Sequence, residues 1–246
     1  MQRIFARFFV LFIGAIASAA GQSRSAAAAR AALVLTPVGA LPLFVTSTIQ
    51  GERQNGAALG LRYGHLSGPT ESTNENNAGI SALLPIGTGA TVTLTAGFFS
   101  LSCDECDASL MLSIGADKAL GDMSLGSSRE SSRVRFALNG ELGYGQPRGS
   151  TLSRGSVVSG MVGLPISLVS GSRSRDEMRI VPFITPGFGF GGIRGVDGGS
   201  GSALMLGGGL GIYNRSSSVA LSFGFQHVAV EDSGWLIGLA LVLGGR

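Results

Sequence analysis

The sequence predicts an all-β fold, namely a closed antiparallel up-and-down transmembrane β-barrel of about ten strands, with eight as the alternative count. Three observations lead to this prediction. Hydrophobic residues make up 44% of the 246 residues and charged residues only 13%, against about 25% in an average soluble domain. Beyond residue 33, no apolar run reaches the roughly 20 residues of a membrane-spanning helix. Segments of about ten residues instead alternate large apolar side chains with small or polar ones.

The N-terminus has the composition of a secretory signal peptide. Arg3 and Arg7 form a basic start, residues 8–16 are apolar, and residues 17–19 are a small-residue cleavage site, Ala-Ser-Ala. The apolar stretch is about half as long as a membrane-spanning helix, so we expect cleavage and export. The predicted organisation is a signal peptide, a flexible leader and a barrel domain, which cover 1–19, 20–56 and 57–246.

The C-terminal segment shows the strand alternation most clearly. Ile237, Leu239 and Leu241 share one parity, whereas Gly238 and Ala240 share the other. Side chains two residues apart lie on the same face of a strand, so one face is bulky and apolar and the other is small. The same pattern predicts strands at 57–66, 79–86, 90–102, 108–118, 133–146, 156–169, 178–193, 202–213, 217–228 and 234–244.

Charged and polar residues on the small-residue faces are expected to point into the barrel. A charge that faces lipid at the bilayer midplane costs about 2–4 kcal/mol, so these residues belong in the lumen. The even strand count places both termini at the periplasmic end, although the connection 119–132 is long for a periplasmic turn. The predicted polar cluster of the lumen comprises Arg62, Arg133, Arg135, Asn139 and Glu141.

The two cysteines, Cys103 and Cys106, flank Asp104 and Glu105 in a predicted loop. A thioredoxin-like redox site would require a βαβ setting, which this strand pattern lacks. A zinc site would require further ligands, and no second cysteine pair exists. Because exported proteins meet oxidising conditions, we expect a small loop disulfide, with free thiols as the alternative.

The signal peptide and the alternating strands resemble the small bacterial outer-membrane β-barrel proteins over about residues 57–246. The segment 181–189, Val-Pro-Phe-Ile-Thr-Pro-Gly-Phe-Gly, is similar to one common in that group. The resemblance implies location in the bacterial outer membrane, with membrane lipid and the insertion machinery as partners; an extracellular partner is unknown. The chain departs from many such barrels at its end, where residues 243–246 contain no aromatic residue.

We expect no catalytic, cofactor-binding or metal-binding site. Arginines are scattered without interleaved aromatics, which argues against binding of nucleic acid, and residues 207–209 lack the lysine and helix that follow a phosphate loop. Lipid A deacylases of the outer membrane typically carry a histidine and a serine two residues apart on one strand, but alanine occupies position 229 after His227, and Ser233 is further away.

We therefore predict a barrel with a structural or surface-interaction role. A narrow barrel can be filled by its own side chains, so conduction is not the first expectation. A small transport channel, a membrane-embedded lipid-modifying enzyme that uses His227 and Ser233, and a soluble periplasmic β-sandwich are the alternatives.

Overall fold

The computed structural model describes ten ranges of the chain: 57–67, 75–87, 89–101, 106–126, 132–149, 156–170, 178–194, 199–214, 219–229 and 235–244. None of the residues in these ranges belongs to a helix that is long and apolar enough to cross a membrane. The ranges contain eleven strands: β1 Ala58–Ser67, β2 Glu75–Pro85, β3 Ala90–Leu101, β4 Cys106–Ser124, β5 Arg133–Gly149, β6 Ser156–Gly163, β7 Ile166–Val169, β8 Met178–Arg194, β9 Gly199–Asn214, β10 Val219–Ala229 and β11 Trp235–Gly244.

The sheet closes on itself. Antiparallel ladders connect each strand to its neighbours along the chain, and β1 also pairs with β11 over its whole length. β6 and β7 both lie between β5 and β8, and together they make one strand of the wall. The predicted ten-stranded antiparallel barrel is therefore confirmed, with one wall strand divided in two.

The division between β6 and β7 falls at Leu164 and Pro165, because proline has no N–H to donate to a ladder. The hydrogen bonds around it continue across the gap: Ala137 donates to the Pro165 carbonyl at 3.0 Å, and Leu164 donates to the Pro186 carbonyl at 2.9 Å. The register is thus preserved through the break.

Two prolines, Pro182 and Pro186, lie inside β8, although proline is usually confined to strand ends, edges or bulges. An antiparallel residue directs its N and its carbonyl to the same neighbour. The Pro186 carbonyl faces Leu164, so its missing N–H falls where the neighbouring strand is itself interrupted. Pro182 lies beside β7, the shortest strand, which pairs with β8 at two positions. Few ladder bonds are therefore lost.

The ladders also fix the width of the barrel. From Gly64, the pairings through β11, β10, β9, β8 and β7 reach Arg135 of β5. From Arg62, the pairings through β2, β3 and β4 reach Gly145 of the same strand. These routes imply a stagger of about twelve residues, which for ten strands gives a tilt of about 40° and a radius of about 10 Å. Side chains from opposite walls can meet in so narrow a barrel.

The two faces of the strands are sorted as predicted. On β1, Leu59 and Leu61 are 59% and 50% exposed, whereas Arg62 between Leu61 and Tyr63 is 6% exposed. Large apolar residues of every strand form a continuous exterior belt, which fits hydrocarbon and not the surface of a soluble sandwich. The belt includes Ile80, Leu94, Phe98, Leu112, Ile114, Leu142, Val158, Leu168, Ile184, Leu206, Leu210, Phe223 and Leu239.

The end of the lumen where β1 begins and β11 ends is filled by apolar side chains. Val181 and Leu83 are almost completely buried there, and Tyr213 lies with them. This apolar plug consists of Ala58, Leu83, Val169, Val181, Tyr213, Ala220 and Val242. It resembles the core of a soluble protein, and the buried Arg179, opposite Tyr213 in the ladder, borders it.

Candidate functional site in the barrel lumen

A buried ion pair crosses the lumen. Nη1 of Arg62 on β1 lies 3.5 Å from Oε1 of Glu141 on β5, and the two side chains are 3% and 1% exposed. β1 and β5 are not neighbours in the sheet, so the contact spans the interior. The Ser113 hydroxyl of β4 donates a hydrogen bond to the same carboxylate oxygen. The Glu141 carboxylate is therefore held by both walls, which ties the barrel across its centre.

A second ion pair lies near the end of β4. Arg135 donates from Nε to Oδ1 of Asp122 at 2.7 Å and from Nη2 to Oδ2 at 2.8 Å, in a two-pronged contact. Asp122 remains partly exposed, and β4 and β5 bring the two residues opposite each other. This pair is separate from the pair formed by Arg62 and Glu141.

The residues that the sequence grouped into one polar cluster thus occupy different places. Arg62, Asn139 and Glu141 are buried in the lumen, and Arg135 is buried in its pair with Asp122. Arg133 departs from the expected cluster, because it is exposed at the first residue of β5. Its position at the strand end gives the guanidinium access to water, so it does not need a partner in the lumen.

Several buried polar residues were missed by the sequence analysis. Asp117 on β4 is 4% exposed and faces Asn139 in the ladder, and Ser81 and Thr95 share a hydrogen bond of 3.0 Å. The signal that could have found them is strand parity: Asp117 shares its face with Ser113, and Thr95 with Thr93. Further buried polar residues are Thr91, Ser159, Ser167, Arg179, Thr185, Ser222 and Gln226.

The middle of the lumen is packed rather than open. Side chains that line a water-filled channel would be accessible to water, yet Thr93, Asn139 and Glu141 are buried. Phe99 and Met111 are also buried, further toward the end opposite the apolar plug. The described interior is therefore a filled core, in which charges and hydroxyls are held in fixed positions.

The outward face carries a polar cluster near the end of β1. Nδ1 of His65 lies 2.9 Å from Oδ1 of Asn76, and the Tyr63 hydroxyl donates to the same oxygen at 3.1 Å. An amide oxygen only accepts hydrogen bonds, so Nδ1 of His65 is the donor in this contact. Ser67 lies two residues further along the same strand.

Three sequence-derived candidates concern residues outside the described ranges. Ser233 lies there, so the set predicted around His227 is not described; His227 itself is on β10 opposite Trp235. Cys103 also lies there, whereas Cys106 begins β4. The loop disulfide therefore stays a prediction. The signal peptide and the leader precede residue 57 and also stay predictions.

The chain resembles several solved barrel structures. The β domain of the Bordetella autotransporter BrkA matches with a TM-score of 0.46 and 9% identity, over 78% of this chain and 100% of that one. The outer-membrane enzyme PagL matches with a TM-score of 0.39 and 12% identity, over 76% of this chain and 99% of that one. The translocator domain of the autotransporter NalP from Neisseria meningitidis matches with a TM-score of 0.35 and 10% identity, over 85% of this chain and 99% of that one. No family model and no curated protein matches the sequence.

Proposed function

We propose that the chain is a closed barrel of the bacterial outer membrane with a structural or surface-interaction role, which neither conducts solutes nor catalyses a reaction. The observation that carries this proposal is the buried contact of Arg62 with Glu141 across the lumen. Breaking a buried ion pair by removing one partner costs about 3–5 kcal/mol, so the contact opposes opening. The apolar plug supports the proposal, because it fills one end of the same lumen.

The proposed orientation has the two strand termini, at Ala58 and Gly244, on the periplasmic side. The five connections at the opposite end then face outward and would carry any surface interaction. They are polar and include Glu71, Asp104, Glu105, Glu231 and Asp232, so an extracellular partner would meet a mostly acidic rim. The membrane lipid and the insertion machinery are the partners that such a barrel requires.

Reconstitution in planar bilayers tests the closed barrel. The unmodified protein is expected to give no stable ion steps, because its lumen is filled. A variant with alanine at Arg62, Glu141, Phe99, Leu83, Val181 and Tyr213 removes side chains from the centre and both ends of the lumen, including the apolar plug, and is expected to give ion steps. It shows that the assay would detect an open barrel. Stable steps from the unmodified protein would reject the proposal.

A second candidate function is hydrolysis of lipid esters at the outer surface of the barrel, which the contact of His65 with Asn76 favours. Nucleophilic hydrolysis needs a hydroxyl, a base and a group that orients the base. Here His65 Nε2 would take a proton from a water molecule that attacks the ester carbonyl and return it to the leaving alcohol, so that the acyl chain leaves as a carboxylic acid. Asn76 would hold the ring.

This candidate is tested by mass spectrometry of acyl chains released from vesicles of bacterial lipids. Activity that is lost in His65→Ala and retained in His227→Ala would support hydrolysis at this site. His227 is the matched control, because it is a second outward histidine of the barrel. Absence of release by the unmodified protein would leave the non-catalytic proposal standing.

A further inference from the structure

The last residues of β4 have a strand neighbour on one side only among the residues that the structure describes. The ladder between β3 and β4 ends at Ala90 and Lys118, whereas β4 continues to Ser124 in its ladder with β5. The Ala119 N–H still donates to the Gly89 carbonyl in the turn between β2 and β3, at 2.7 Å. Residues 120–124 are therefore an open sheet edge, at the rim where β1 begins.

The outward side of this edge is apolar. Leu120, Met123 and Leu125 are 44%, 52% and 56% exposed, whereas Asp122 is bonded to Arg135. An open edge leaves backbone N–H and carbonyl groups ready to pair with another strand, and native proteins usually cover or charge such edges. The large side chains on the outward side of this edge, Leu120, Met123 and Leu125, are hydrophobic and exposed, so the edge favours a covering strand.

A segment of the same chain has the composition of such a strand. Residues 43–49, Leu-Phe-Val-Thr-Ser-Thr-Ile, consist mostly of β-branched and large apolar residues, without charge, glycine or proline. Leu43, Val45 and Ile49 share one parity and would form an apolar face.

The segment can also reach the edge. Residues 50–57 connect it to Ala58, the first residue of β1, and eight extended residues span up to about 26 Å. Two strands, β2 and β3, separate β1 from β4, which corresponds to about 14 Å across the sheet. An antiparallel partner of β4 would run toward the barrel and end near the turn between β2 and β3, so the connection back to Ala58 is direct.

We propose that residues 43–49 pair with residues 120–124 of β4 as an added antiparallel strand, whose apolar face covers Leu120, Met123 and Leu125. The leader then closes the open edge of its own barrel. A second copy of the chain on this edge, or contact of the three apolar residues with the lipid surface, would give different results in the experiment below.

Disulfide trapping in the full chain tests the added strand. With both native cysteines replaced by serine, Val45→Cys is combined with Met123→Cys, the position expected to face it. The control combines Val45→Cys with Leu84→Cys, an exposed position of β2 that lies closer to Ala58 in the sheet. We expect the first pair to oxidise about tenfold faster within one chain, because pairing raises the effective concentration at one position only.

Equal rates for the two pairs would overturn the proposal in favour of a tethered, unpaired leader with the edge on lipid. Faster oxidation that gives dimers would overturn it in favour of a second copy. Limited proteolysis keeps the proposal testable if the cysteine variants fold poorly. Phe44 of the unmodified protein is expected to resist chymotrypsin and to become cleavable in Met123→Asp. Rapid cleavage at Phe44 in the unmodified protein would also overturn the proposal.

Discussion

At the scale of residues, the two ion pairs of the barrel differ in how much water can replace them. Arg62 and Glu141 are both buried, so loss of either leaves an uncompensated charge in a dry interior. Asp122 is 29% exposed in its contact with Arg135, so water can solvate its carboxylate when Arg135 is removed. We therefore expect the loss of one partner to reduce stability more in the pair of Arg62 and Glu141 than in the pair of Arg135 and Asp122.

We expect Arg62→Ala to lower the free energy of unfolding by about 3–5 kcal/mol, because the Glu141 carboxylate loses its counter-charge in the lumen. The double variant Arg62→Met, Glu141→Leu should lose less stability than Arg62→Ala, since neither charge of the pair remains in the lumen. Arg135→Ala is the matched control and should cost less than Arg62→Ala, because the Asp122 carboxylate that remains is partly exposed to water. Urea unfolding in detergent, followed by the fluorescence of the single tryptophan, Trp235, measures all three. A double variant as unstable as Arg62→Ala would contradict the assignment.

At the scale of elements, glycines on the inner face set how closely neighbouring strands approach. A Cβ added at Gly97 of β3 would lie 2.2 Å from the Ala78 carbonyl oxygen and 2.6 Å from the Gly79 Cα of β2. These are backbone atoms, which cannot rotate away. At Gly140, which lies on the outer face of β5, the nearest atom, the Met161 carbonyl oxygen, would be 3.5 Å away.

Gly97→Ala should therefore lower the free energy of unfolding by about 1–3 kcal/mol, because the β2–β3 ladder must move apart. Gly140→Ala should change it little or raise it slightly, since alanine fits there and glycine weakens a strand. The two variants add the same methyl group to the same barrel. Equal urea midpoints for the two variants would contradict this prediction, because they would show that β2 and β3 can move apart without loss of stability.

Strand parity predicted the positions of the elements well, because the contrast between lipid and lumen repeats every two residues. Ile237 and Leu239 are exposed on the outer face and Ala240 is buried, as the alternation in the sequence indicated. The extension of β4 to Ser124 was missed, since beyond Lys118 the strand is exposed on both faces and no alternation is required.

The partners inside the lumen could not be read in the same way. Parity identified Arg62 and Glu141 as inward residues, but their contact depends on the stagger of the whole barrel. The pairing of Arg135 with Asp122 depends on a register shift between Ala119 and Gly121. Neither the stagger nor the register shift can be recognised from a local sequence pattern.

At the scale of the whole molecule, the closed sheet satisfies its backbone internally and presents an apolar belt to its surroundings. Because the ladders close into a ring, such a barrel resists unravelling by detergent. The packed lumen adds to this resistance, because it also holds the walls together from inside.

We expect the protein in dodecyl sulfate to migrate differently before and after boiling, since the closed sheet persists until it is heated. Leu239→Pro should lose this difference, because proline removes a ladder donor in β11, which pairs with β1 and β10. Leu239→Ala is the control that keeps the donor and should retain the difference. Identical migration of the unmodified protein in both states would contradict a closed sheet.

The ladder that joins Ala58 to Gly244 has a consequence for the order of events during biogenesis. Hairpins between consecutive strands can form as soon as both strands are available, whereas this seam must wait until almost the whole chain has been delivered. Until then, β1 and β11 each offer a row of unpaired amides and carbonyls to any neighbouring strand. The newly made chain is therefore most prone to misassociation just before the seam forms, so a chaperone would protect it best at that moment.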